Sequence, residues 1–110
     1  MIASNTAPVI TQGINTTVVM SEDGSPTAFS LTLDATDANS DLLTWSISSQ
    51  ATNGSATVAG TGNSQAISYT PNNQYFGVDS FVVNVSDGLV NDTITVNVTV
   101  SSVNDLPNFT

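Results

Sequence analysis

Asp79-Ser-Phe-Val-Val-Asn-Val-Ser-Asp-Gly88, with Asn91 to Val103 after it, decides how this chain folds. Phe81, Val83 and Val85 occur at every second position, as do Ile94, Val96, Val98 and Val100. In an extended chain successive side chains point to opposite faces, so each run reads as a strand with one apolar face. Asp87-Gly88 between them has the chemistry of a tight hairpin turn. Asn104-Asp105-Leu106-Pro107 then closes the second strand.

The same period extends backwards. Asn5-Thr-Ala-Pro8 leads into Val9-Ile10, a first strand that breaks near Gly13 and resumes through Val18-Val19-Met20. Ser21-Glu22-Asp23-Gly24-Ser25-Pro26 is turn chemistry. Phe29, Leu31 and Leu33 define a second strand, and Leu43, Trp45 and Ile47 a third. Ser55 to Ala59 and Gln65 to Thr70 read as short strands around Gly60-Thr-Gly62-Asn63, with Val58, Ile67 and Tyr69 facing in. No helical period competes. The expected fold is all-β, a seven-strand Greek-key sandwich of the immunoglobulin/cadherin-like kind.

The 110 residues include no Lys, Arg, His or Cys, and the net charge is −9. A chain without cations cannot neutralise phosphates, so nucleic-acid binding is excluded as a function class, as is attraction to an anionic membrane. No apolar run reaches membrane-spanning length, so no membrane insertion is expected. Nucleophilic catalysis lacks a His, Lys or Cys partner, so no enzyme is expected. No signal peptide is visible, and the chain reads as a segment whose targeting lies elsewhere.

The nine acids have no internal positive partner. With the strands running up and down, they are expected to gather at the two poles of the sandwich, none mid-strand. Asp34, Asp37, Asn39, Asp41 and Asp87, with Asn91 and Asp92 beside it, would share one pole; Glu22, Asp23, Asp79, Asn104 and Asp105 would share the other. Like charges so gathered repel unless a divalent cation lies among them. Carboxylate and amide oxygens suit calcium, which takes about 6–8 oxygen ligands. Asp37-x-Asn39-x-Asp41 opens like an EF-hand loop, but Leu42 stands where Gly is required and Ser48 where the bidentate Glu should be. Each acid also has a plainer reading. Asp37 to Asp41 reads on its own as a solvated turn, which the clustering at the pole makes the weaker reading; Glu22 and Asp23 read as a polar turn, Asp87-Gly88 as a hairpin, and Asp79 as a strand cap.

Asn5-Thr-Ala-Pro8-Val9-Ile10 is echoed by Asn104-Asp-Leu-Pro107-Asn108-Phe109, and Pro8 and Pro107 stand 99 positions apart, the difference of their numbers. The chain ends as its next copy would begin, which points to a tandem array. Residues 1–7 read as a linker, 8–105 as the repeat, and 106–110 as the start of the next linker.

From Pro8 to Pro107 the chain resembles a cadherin-like repeat of the bacterial tandem kind, found in large surface adhesins. The carriers are Glu22, Ala35-Thr36-Asp37-Ala38-Asn39, Val85-Ser86-Asp87-Gly88 and Val103-Asn104-Asp105-Leu106-Pro107. Tyr69-Thr-Pro71 and Phe76-Gly77-Val78-Asp79-Ser80-Phe81 resemble bacterial immunoglobulin-like repeats of that group. The resemblance implies calcium at the junctions between repeats, in an extracellular or cell-surface protein. Glu22, Asn104 and Asp105 would serve the downstream junction; Asp37, Asn39 and Asp87 would serve the upstream one. Asn39 replaces the second Asp of the family's Asp-x-Asp pair. No Leu-Asp-Arg-Glu segment is present, and Asp79 is the residue that would stand in for it.

The function expected on these grounds is a non-catalytic extender, each repeat a spacer of about 35–40 Å from strands of about 11 residues. Its partners would be adjacent repeats of the same chain, with the isolated domain a monomer. A different class is a binding module for a host or cell-surface glycan or protein, or the accessory domain of a secreted enzyme. That class wants an exposed aromatic platform, and only Tyr75 and Phe76 lie in a loop.

Overall fold

The computed structural model describes residues 6–22, 28–39, 41–58, 60–73 and 75–102. They form nine strands in two sheets: β1 (Val9–Ile10), β2 (Asn15–Ser21), β3 (Leu31–Thr36), β4 (Thr44–Ser49), β5 (Gly54–Thr57), β6 (Gly60–Thr61), β7 (Ser64–Pro71), β8 (Gly77–Ser86) and β9 (Asn91–Ser101). One sheet has the order β1-β3-β7-β5 and the other β2-β9-β8-β4-β6. The described residues contain no helix.

The count exceeds seven for two physical reasons. The first strand is divided between the sheets. β1 pairs antiparallel with β3, whereas β2 runs parallel to β9 from Asn15↔Thr95 to Ser21↔Ser101. The crossing happens at Gly13, whose φ of +93° is open to glycine at little cost. Its N–H donates to Ile10 O at 3.0 Å, and Thr95 N–H to Ile14 O at 3.0 Å. The second addition is β6, the Gly-rich turn leaning across to pair with β4. Trp45 Nε1 donates to Gly62 O at 2.8 Å and fastens it there.

Alternation builds the core as the sequence predicts. Phe81, Val83, Val85, Ile94, Val96, Val98 and Val100 are buried, and so are Leu33, Leu43, Trp45, Ile67 and Tyr69. Phe29, Tyr69 and Phe81 meet at centroid distances of 5.7, 5.8 and 6.4 Å, which makes these aromatics core and not platform. Ile10, Met20, Ala35 and Ala56 complete it. Each buried Val, Leu, Ile, Met or Phe side chain contributes about 1.5–3 kcal/mol by leaving water, and each alanine less.

The acids are not all polar caps at strand ends. Asp34 lies within β3, Asp79 is the third residue of β8, and Asp92 the second of β9. Asp92 Oδ2 accepts from Ile10 N at 2.9 Å, tying the start of β9 to β1 in the facing sheet. Asp34 accepts from Gln12 Nε2 at 3.2 Å.

Candidate metal centre

Two connections meet at one pole. β3 ends at Thr36, so Asp37 begins the crossing to β4, and Asp41 nearly ends it. β8 ends at Ser86, so Asp87 opens the hairpin to β9. One oxygen from each of Asp37, Asp41 and Asp87 lies within 4.8 Å of the others. Among the described residues no other three Asp or Glu come together in this way.

Each carboxylate is set by its own loop. Asp37 Oδ1 accepts from Asn39 N at 2.8 Å and Asp41 N at 3.3 Å, closing the loop on itself. Asp87 Oδ1 accepts from Leu89 N and Val90 N, both at 2.9 Å, and Asp87 N donates to Val90 O at 3.1 Å. The turn reading of both segments therefore holds, and the same turns bring the carboxylates together. Asp37 Oδ2 is sealed from solvent, yet among the described residues nothing donates to it. Desolvation, then the charges of Asp37 and Asp87, raise the Asp41 carboxyl above its usual 3.8. No cation in the sequence can relieve this cluster.

The remaining expected ligands stand elsewhere. Asn39 is on the same loop, but its Oδ1 accepts from the N–H of Thr6 at 2.8 Å and so holds the incoming chain. Glu22 follows β2 at the far pole, where its N–H donates to Ser101 O at 2.9 Å. Asp79 is also toward that end, 9% exposed, and is engaged by four protein donors. Its Oδ1 accepts from Thr52 N (3.1 Å) and Ser80 N (2.9 Å); its Oδ2 accepts from Asn53 N (3.0 Å) and Tyr69 Oη (2.7 Å). Burial, then Asp79, pushes the Tyr69 phenol far up, so it remains a donor. Asn104 and Asp105 lie outside the described residues.

The geometry suits a hard cation. Three carboxylates within reach of one another, one with an oxygen lacking any donor, are the acceptor-only set that calcium takes. They supply fewer than the six to eight oxygens a calcium ion gathers, so backbone oxygens, water or an adjoining segment would complete the shell. Soft metals have no sulfur or imidazole ligand here.

No curated protein matches the chain. Among solved structures, an endo-fucoidan hydrolase of glycoside hydrolase family 107, MfFcnA4, superposes with a TM-score of 0.67 at 21% identity. A single-residue variant of that enzyme matches equally well. The match covers 93% of this chain but 14% of the hydrolase chain, and at this identity it shows the fold alone. A family model described as "Bacterial Ig domain" matches residues 5–100. That span takes in both sheets, the crossing at Gly13 and all three carboxylates of the pole, and on it the chain belongs to the bacterial Ig domain family.

Proposed function

We propose that this domain is a non-catalytic extender repeat of a bacterial cell-surface or secreted protein, with calcium bound at its entering pole to stiffen the junction there. One observation carries the reading. In a chain without a single cation, Asp37, Asp41 and Asp87 are held together by their own loops, and Asp37 Oδ2 is buried with no donor. Asp37, Asp41 and Asp87 would hold the ion, and Asn39 would hold the linker beside it. The ion would neutralise the pole and bridge it to what precedes. Adhesion by a tandem array in the extracellular space follows from such a role. Glu22, Asn104 and Asp105 would serve the next junction.

The test is a calcium titration by calorimetry on the domain, with melting in chelator and in millimolar calcium. A ligand of the folded state must raise the melting temperature. A flat thermogram together with identical melting curves would sink the calcium reading. Equal solution lengths for a two-repeat chain with and without chelator would sink the stiffening.

A second reading is an accessory module of a secreted polysaccharide-degrading enzyme. It is supported by the fold's likeness to a short stretch of a fucoidan hydrolase. Of the two loop aromatics, Tyr75 packs against the core and its hydroxyl donates to Val78 O, which leaves Phe76, 59% exposed, to contact a ligand. Binding of neutral polysaccharide lost in Phe76→Ala would favour this role over the extender.

A further inference from the structure

We propose that Asn53 is a site of self-modification, where the backbone nitrogen of Gly54 displaces the side-chain amide and leaves aspartate or isoaspartate. Asn53 leads into Gly54, the first residue of β5, and β5 is an edge strand of its sheet. Packing demands the glycine, because a Cβ at position 54 would lie 2.6 Å from both Thr70 O and Tyr69 Oη. The nitrogen that follows Asn53 therefore has no side chain beside it to shield it. The ladder also leaves it open. Gly54 is paired with Pro71 and Ala56 with Tyr69, yet Ala56 N–H donates away from β7, to Gln50 Oε1 at 2.6 Å. N–H groups two apart on a strand point the same way, so that of Gly54 also faces the free edge. Gln50 covers that edge at Ala56, where its Nε2 also donates to the carbonyl at 3.0 Å. The bonds that hold Asn53 are to its backbone: its N–H donates to Asp79 Oδ2 at 3.0 Å and its carbonyl accepts from Asn72 N at 2.8 Å.

In the step, Gly54 N gives up its proton and bonds to Asn53 Cγ. The Cγ–Nδ2 bond breaks, ammonia leaves, and a cyclic imide remains. Water then adds at one imide carbonyl. Opening at Cγ gives aspartate on a normal backbone; opening at the main-chain carbonyl gives isoaspartate, with the backbone routed through the side chain. Asp87-Gly88 could close the same ring, but it is built differently. Gly88 N–H donates to Ser86 Oγ at 3.0 Å, and Asp87 Oδ1 is held by Leu89 N and Val90 N, both at 2.9 Å. Closure there would break these bonds. At position 53 either product sets a new carboxylate near Asp79, in a chain with no cation to offset it. Isoaspartate also removes from the main chain the carbonyl that accepts from Asn72, so the start of β5 loosens from the end of β7.

Ageing the folded protein in mildly alkaline buffer tests this, with released ammonia, isoaspartate content and peptide masses followed over time. Ammonia is expected to appear together with a more acidic form of the protein, the lost amide mapping to Asn53 and part of the product being isoaspartate. The aged protein is expected to melt below the fresh one. Asn53→Gln, whose longer side chain would have to close a larger ring, is expected to release no ammonia from position 53 and to keep its melting temperature. Amide loss at Asn63-Ser64 as fast as at Asn53 would overturn the role of the bare glycine nitrogen. Isoaspartate at Asp87 ahead of position 53 would overturn the contrast between the two turns. An Asn53 that reacts only after unfolding in urea would overturn the proposal as a whole, since the folded edge would then protect it.

Discussion

The phenol of Tyr69 donates to Asp79 Oδ2 at 2.7 Å inside the sandwich, toward the pole remote from Asp37, Asp41 and Asp87. The bond joins β7 of one sheet to β8 of the other. Asp79 also collects the N–H groups of Thr52 and Asn53, so a single carboxylate organises the approach to β5. Tyr69→Phe leaves one carboxylate lobe short of a donor and is expected to cost about 1–3 kcal/mol. Asp79→Ala strands several donors and is expected to cost more. Urea denaturation measures both. Neither change should reduce the stabilisation by calcium, and a lost calcium response in Asp79→Ala would return that residue to the metal site.

Asp37→Asn and Asp87→Asn are expected to weaken calcium binding by tenfold or more each, since each removes one charge from a small set. In chelator both variants should melt no lower than the wild type, because the charge removed was repelled by its neighbours. Asp92→Asn, with its amide oxygen still able to accept from Ile10 N, is the matched control and should bind calcium as the wild type does. Equal affinity for all four proteins would remove the pole as the site.

Asp41 gives a pH signature. Its folded pKa lies above the unfolded value near 3.8. Its contribution is thus most favourable below that value and is lost as pH rises through the folded pKa. In chelator, Asp41→Asn should therefore gain more melting temperature over the wild type at neutral pH than at pH about 3. The new amide also offers a donor to Asp37 Oδ2. A gain of the same size at both pH values would show that the charge cluster does not destabilise the metal-free domain.

Gly54 tests the far pole by shape. A Cβ there would lie 2.6 Å from Thr70 O and 2.6 Å from Tyr69 Oη. Gly54→Ala should cost about 1–3 kcal/mol by overpacking and displace the phenol from Asp79. Gly13→Ala meets no atom within 4 Å and should cost only the strain of its positive φ, about 1–2 kcal/mol. Denaturant midpoints and the near-ultraviolet signal of Tyr69 would separate the two, and an unmoved tyrosine signal in Gly54→Ala would contradict the packing described.

The fold was legible because Phe81 to Val85 and Ile94 to Val100 carry one unbroken period, and the other strands repeat it. The break at Gly13 could be read locally; that β2 would then run parallel to β9 could not, since pairing partners some eighty residues apart leave no mark in either segment. The gathering of Asp37, Asp41 and Asp87 followed from the alternation of loops between poles. Asp79 and Asp92 were placed by loop position, although their parity matched Phe81 and Ile94 and so aimed them inward. The donors that receive them, Tyr69, Thr52, Asn53 and Ile10, have no sequence signal that names them as partners.

The parallel run of β2 along β9 has a mechanical consequence. The chain arrives beside Asp37 and β9 ends toward the opposite tip, so tension applied through the two ends of the domain would pull these two strands in opposing directions along their length. Seven registered residue pairs, Asn15↔Thr95 to Ser21↔Ser101, then resist sliding together, where a hairpin pulled from its open end would yield rung by rung. The two-residue β1 can peel from β3 first, taking up slack before that seam is strained.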